Sequence, residues 1–177
     1  MELKGHRDMK ASPAEVWAAL LDADVLKACV PGCKEMTGSA ADGFEAVVVQ
    51  KVGPVKATFK GAVQITDMVE AQSCTISGEG KGGPAGFAKG GADVVLEPTE
   101  GGGTKLIYEV EAKVGGKLAQ LGSRIIDGFA KKMADQFFER FQTALDGDPE
   151  EGAPDETPQD GAEITEKKKG WLKRLVG

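Results

Sequence analysis

From Val55 to Ile65 the chain alternates. Val55, Ala57, Phe59, Val63 and Ile65 are apolar, and Lys56, Thr58, Lys60 and Gln64 between them are polar. A period of two places successive side chains on opposite faces of a strand, so this segment has one dry face and one wet face. Such a strand persists only in a sheet whose dry face is covered. The alternation recurs at 72–79, 88–97 and 104–114. In the last of these Leu106, Tyr108, Val110, Ala112 and Val114 share one side. Phe44 to Val52 is rich in valine and has high β propensity. Residues 2–10 read as a first strand and 33–39 as a weaker one. Turn-forming clusters at Ala41-Asp42-Gly43, Gly53-Pro54, Gly82-Gly83-Pro84 and Gly101-Gly102-Gly103 separate the strands.

Two short helices interrupt the β pattern. Ser12-Pro13-Ala14-Glu15 combines a capping serine, a proline suited to the first helical position and a glutamate that completes a capping box. A helix over 13–22 follows, then a second over 24–29 that stops at Pro31-Gly32. Further on the period changes. Leu121, Ile125, Phe129, Met133, Phe137, Phe141 and Leu145 recur every fourth residue, with Leu118 and Phe138 widening the stripe. The spacing predicts one amphipathic helix over 117–145, roughly 43 Å long at about 1.5 Å per residue. That helix is the natural cover for the dry sheet face, and the class is α+β.

The dry faces of 72–79 and 88–97 include Cys74, Gly78, Ala88, Gly90 and Ala92. Small sheet residues opposite a bulky helix stripe predict an unfilled apolar gap. The expected wall is Leu20, Val30, Phe44, Val55, Phe59, Phe87, Leu121, Ile125, Phe129 and Met133. Gln50 and Tyr108 are the polar side chains expected on the inner faces, too few for general acid–base work. His6 is the single histidine and lies on the first strand. Cys29 and Cys33 are spaced wrongly for a Cys-x-x-Cys redox pair and, with Cys74, read as small buried hydrophobes. The glycine run Gly78–Gly91 lacks the following helix and Gly-Lys-Ser/Thr of a phosphate loop. The expectation is no catalytic residue, no metal site and no covalently bound cofactor.

Charge divides the chain into three parts. Residues 1–145 carry 17 basic and 19 acidic side chains, residues 146–166 carry 9 acidic and no basic ones, and residues 167–177 carry 5 basic and no acidic ones. With a net charge of −6, nucleic acid is not an expected partner. Proline, glycine and acidic residues make 146–161 a disordered linker by composition. In 162–177, Ile164, Trp171, Leu172 and Leu175 share one side of a helical wheel. Lys169 and Lys173 lie opposite, Lys168 has to snorkel, and Lys167 and Arg174 add charge. A basic amphipathic helix with tryptophan predicts an interfacial membrane anchor. A helix docked on another protein and a solvated end are the rivals. No signal peptide or transmembrane run is read, and three cysteines argue against a disulfide framework. A cytoplasmic protein, peripheral on the inner face of the cell membrane, is expected.

The order strand, two helices, six strands, long helix resembles the START-like, or SRPBCC, superfamily. Ser12-Pro13-Ala14-Glu15-Val16-Trp17, Cys29-Val30-Pro31-Gly32-Cys33, Gly53-Pro54-Val55, the Gly78–Gly91 segment and Gly116 to Ile126 resemble the CoxG family of carbon monoxide dehydrogenase proteins over residues 1–145. The resemblance implies a helix-grip fold, a curved antiparallel sheet wrapped around a long C-terminal helix with an apolar cavity between. It also implies a non-catalytic accessory of a molybdenum CO dehydrogenase or related hydroxylase. Such a protein would bind a hydrophobic ligand, a respiratory quinone such as menaquinone, and link the enzyme to the membrane for electron transfer. The alternatives are a polyketide cyclase or aromatase of the same fold, and a docking adaptor without ligand.

Overall fold

Each alternation read from the sequence corresponds to a strand. The computed structural model describes residues 1–146. Its strands are β1 (Glu2–Met9), β2 (Cys33–Ser39), β3 (Gly43–Val52), β4 (Val55–Val69), β5 (Ser73–Lys81), β6 (Phe87–Pro98) and β7 (Thr104–Gly115). Its α-helices are α1 (Pro13–Leu20), α2 (Ala23–Cys29) and α3 (Ser123–Asp146). The strands form one antiparallel sheet in the order β1-β7-β6-β5-β4-β3-β2. From β2 to β7 the chain runs as a meander. The two helices α1 and α2 carry it from one sheet edge to the other.

Local chemistry sets the helix starts. The backbone N–H of Ser12 donates to Glu15 Oε1 at 2.9 Å, and the N–H of Glu15 donates to Ser12 Oγ at 3.3 Å, so the capping box is complete. Asp22 caps α2 by accepting from the N–H groups of Asp24 and Val25. The single helix expected over 117–145 is divided. Gly116–Leu121 is a 3-10 segment, and α3 begins only at Ser123. Gly122 between them has φ +90°, a left-handed conformation open to glycine that an α-helix cannot continue through. The helix of 24 residues is about 36 Å long at ~1.5 Å per residue.

The core gathers Val16, Trp17 and Leu20 of α1, Cys29 of α2, Phe44, Ile65, Val94, Leu96 and Leu106 of the sheet, and Phe138 and Phe141 of α3. Cys29 and Cys74 are buried as expected, whereas Cys33 is half-buried. Asp146, expected to open the acidic linker, is the last residue of α3. The linker to 161 and the tip 162–177, with Ile164, Lys167, Lys168, Lys169, Trp171, Leu172, Lys173, Arg174 and Leu175, lie outside the described residues. Among the described residues no helix is long and apolar enough to cross a membrane.

Candidate functional site

The inner face of the sheet and the underside of α3 enclose two apolar hollows. The first, of about 240 Å³, is walled by Leu20 and Leu26 of the short helices, Val30 after them, Phe44, Val63, Ile76, Val94, Leu106 and Tyr108 of the strands, and Phe137 and Phe138 of α3. The second, of about 390 Å³, lies under the N-terminal half of α3. Ile126, Phe129, Ala130 and Met133 form its roof, and Val48, Val52, Phe59, Gly80, Ala88, Ala112 and Val114 its floor. Val110 and Ala134 line both, so the hollows adjoin. The larger one exists because strand parity brings Gly80, Ala88 and Ala112 to the inner face, where they supply little bulk. The larger volume is near the lower end of the ~300–1,000 Å³ range of small-molecule pockets, and the smaller falls below it.

Two polar side chains that line these hollows are the two expected from parity. Gln50 Nε2 donates to the Pro31 carbonyl. Tyr108 stacks on Phe138 with ring centroids 5.0 Å apart. Its ring leans across β1 at Gly5, where a Cβ would come within 2.6 Å of the phenolic oxygen. Glycine at this position is what lets the tyrosine lie flat.

Against this frame of strands and helix, the family model for CoxG, described as a carbon monoxide dehydrogenase subunit, matches residues 5–146. The chain belongs to the CoxG family. Membership suggests an accessory role beside carbon monoxide dehydrogenase. A conserved protein from Geobacillus kaustophilus is similar to this CoxG chain at a TM-score of 0.77 and 29% identity, over 82% of this chain and 95% of the other. A protein from Rhizobium leguminosarum gives 0.63 and 15% over 84% and 95%. One from Chromobacterium violaceum gives 0.61 and 15% over 84% and 99%. The last two likenesses show a shared fold alone. No curated protein matches the chain significantly.

Of the wall residues expected from the sequence of this CoxG member, Leu20, Val30 and Phe44 line the first hollow and Phe59, Phe129 and Met133 the second. Four are placed elsewhere. Phe87 has the opposite parity to Ala88. It is 42% exposed on the outer face, with its ring over Gly115. Val55 sits against the β3–β4 turn and borders a separate surface depression. Leu121 precedes the break at Gly122, and Ile125 is 41% exposed; both lie beside Gly53 at the turn. The reason for Ile125 is arithmetic. At 3.6 residues per turn a step of four advances about 40°, so Ile125 lies roughly 160° around the helix from Phe141. Ile126 takes the inward place.

Sequence reasoning also missed Arg7. It shares the inward parity of Leu3 and Met9. Its guanidinium lies 5.1 Å from the Phe138 ring centroid and 5.9 Å from that of Tyr108, and pairs with Asp135 at 2.6 Å. A charge at an inward position escaped notice because strands were read by their apolar members. Lys131 and Arg7, both hydrogen-bonded to Asp135, hold its carboxyl below the usual carboxylate range. Burial pushes the Cys29 thiol up to about 11 and raises those of Cys33 and Cys74. A raised pKa disfavours the thiolate, which is the reactive form. His6 is exposed on the outer face, opposite Ile107. Among the described residues no group of three or more His, Cys, Asp or Glu is placed to hold a metal ion.

Proposed function

We propose that this CoxG family member carries a hydrophobic ligand, a respiratory quinone, in the divided cavity. In this reading it is a non-catalytic accessory that links a molybdenum CO dehydrogenase or related hydroxylase to the cytoplasmic membrane. The observation that carries the reading is the lining. Two adjoining hollows are walled by hydrocarbon, with one phenol and one amide among the lining side chains. Such a space favours an apolar molecule by about 0.8 kcal/mol for each methylene taken from water. The Tyr108 hydroxyl can donate to a quinone carbonyl, a neutral acceptor that costs little to desolvate. Cyclase chemistry requires titratable groups converging on the substrate, and the lining offers a poor set for it. The basic, tryptophan-bearing segment 162–177 is the anchor in this reading, with charge and apolar burial as two cooperating signals.

The test is extraction of the full-length protein, purified from a quinone-containing host without detergent, into organic solvent followed by mass spectrometry. A prenylated quinone approaching one per chain is the expected result. A chain that emerges empty and fails to take up added quinone would overturn the carrier reading and leave a docking adaptor.

A further inference from the structure

The outer face of the sheet is uneven in charge. At the end that carries the β3–β4 turn, the register sets Lys51 opposite Lys56 and Lys60 opposite Lys81. Lys89 and Lys113 face one another one row further from the turn, where Glu79 neighbours Lys89. Like charges directly opposite on neighbouring strands destabilise a sheet. The ion pairs among the described residues are Arg7–Asp135 and Lys131–Asp135, so none of these lysines has a carboxylate at pairing distance, although Lys60 and Lys81 share a second depression, on the side away from the turn, with Glu35, Glu45 and Glu79. Lys56, Lys60, Lys81 and Lys117 line one surface depression of about 650 Å³ beside Gly82 and Gly83. Phe87, the cross-strand neighbour of Lys81, is 42% exposed next to them. The larger hollow lies on the opposite face of the same strand ends. Val52 and Phe59, which alternate with Lys51 and Lys60, line that hollow, and so does Leu118 beside Lys117.

We propose that this lysine rim, with Phe87 beside it, docks the folded body on an anionic bilayer surface and turns the strand ends that line the larger hollow toward the lipid. The inference deepens the carrier reading and rests on it, but it concerns the body rather than the C-terminal tip. A chain with net charge −6 is repelled as a whole by an anionic surface. A local cationic field on such a chain therefore fixes which side approaches. Each lysine brought to an anionic surface strengthens partitioning roughly fivefold. An acidic protein partner would account for the lysines. It would account for the exposed Phe87 too, since aromatic side chains are enriched in protein interfaces, but not for the lysines' place at the strand ends that line a hollow suited to a lipid-soluble molecule.

The test uses the full chain and vesicles of phosphatidylcholine with about a third phosphatidylglycerol, read by co-sedimentation. One variant carries Lys56→Ser, Lys60→Ser, Lys81→Ser and Lys117→Ser. A second, with the same change of net charge, carries Lys4→Ser, Lys10→Ser, Lys27→Ser and Lys105→Ser. The rim variant is expected to bind at least about tenfold more weakly, and the second variant to lose far less. Phe87→Ser alone gives a smaller loss in the same direction. Equal losses in the two lysine variants, or none in the rim variant, would overturn the proposal. A rim variant that binds vesicles normally but no longer binds the dehydrogenase would overturn it in favour of a protein contact. Quinone content, measured by extraction of each variant after loading in detergent, separates the two readings. Quinone retained with unaltered vesicle binding sinks the docking proposal alone. Wild-type protein that takes up no quinone sinks the carrier reading and, with it, this one.

Discussion

The two halves of α3 carry side chains of similar size and meet different partners. In the C-terminal half, Phe137 and Phe141 stack with centroids 5.5 Å apart, Phe138 lies on Tyr108, and Phe141 is fully buried. In the N-terminal half, Ile126, Phe129 and Met133 face Gly80, Ala88 and Ala112 across a hollow of about 390 Å³. The helix is bulky throughout, so the sheet decides how much space is left under each half. Closer size complementarity leaves only the smaller hollow of about 240 Å³ beside Phe137 and Phe138, and small strand residues leave the larger one under the N-terminal half.

This contrast is most easily broken at the buried aromatics. Phe141→Ala should cost about 3–5 kcal/mol, because the cavity it leaves is closed on every side. Phe129→Ala should cost about half as much or less, since part of its surface already faces empty space. Urea denaturation measures both. Equal costs would mean that the two halves are packed alike.

The helix register offers a sharper comparison between neighbours. Ile126→Glu puts a carboxylate into the larger hollow and should destabilise by about 1–3 kcal/mol, with loss of any apolar ligand. Ile125→Glu alters an exposed site and should stay within about 0.5 kcal/mol of wild type. Thermal unfolding with and without ligand distinguishes them. The reverse order would restore the every-fourth stripe.

That stripe shows how far the sequence could be read. The strands were legible because parity and turn clusters recur in register. The covering helix was legible because its aromatics recur at helical spacing. Its start was not, because Leu118 and Leu121 continue the apolar spacing across Gly122, whose positive φ ends the helix. The floors of the two hollows were legible in outline from Ala88 in the larger and Ala92 in the smaller, although Gly80 and Ala112 were missed as members of the larger. Phe87 was misplaced by size, since parity with Ala88 puts it outside. Arg7 was overlooked because a side chain with an apolar stem and a charged tip follows neither half of a binary pattern.

The smallest expected effect concerns the edge where Arg7 meets α3. The Asp135 carboxyl is held below its usual range by Lys131 and Arg7. A depressed carboxyl contributes stability that is present above its unfolded-state pKa, near 4, and is lost as pH falls through the lowered folded value. Asp135→Asn should therefore be slightly less stable than wild type at neutral pH, and the difference should vanish in acid. Urea midpoints across that range check it. A gap that widens on acidification would contradict the sign.

The most direct test of the central claim is to fill the larger hollow from the sheet side. Ala88→Phe places a ring where Ile126 and Phe129 now face an alanine. Native mass spectrometry of the full chain with a short-chain menaquinone analogue compares the variant with wild type. The account predicts a one-to-one complex for wild type and none for a variant of equal or greater thermal stability. Equal occupancy in both proteins would contradict the claim that the space between the small strand residues and the N-terminal half of α3 is where the ligand is held.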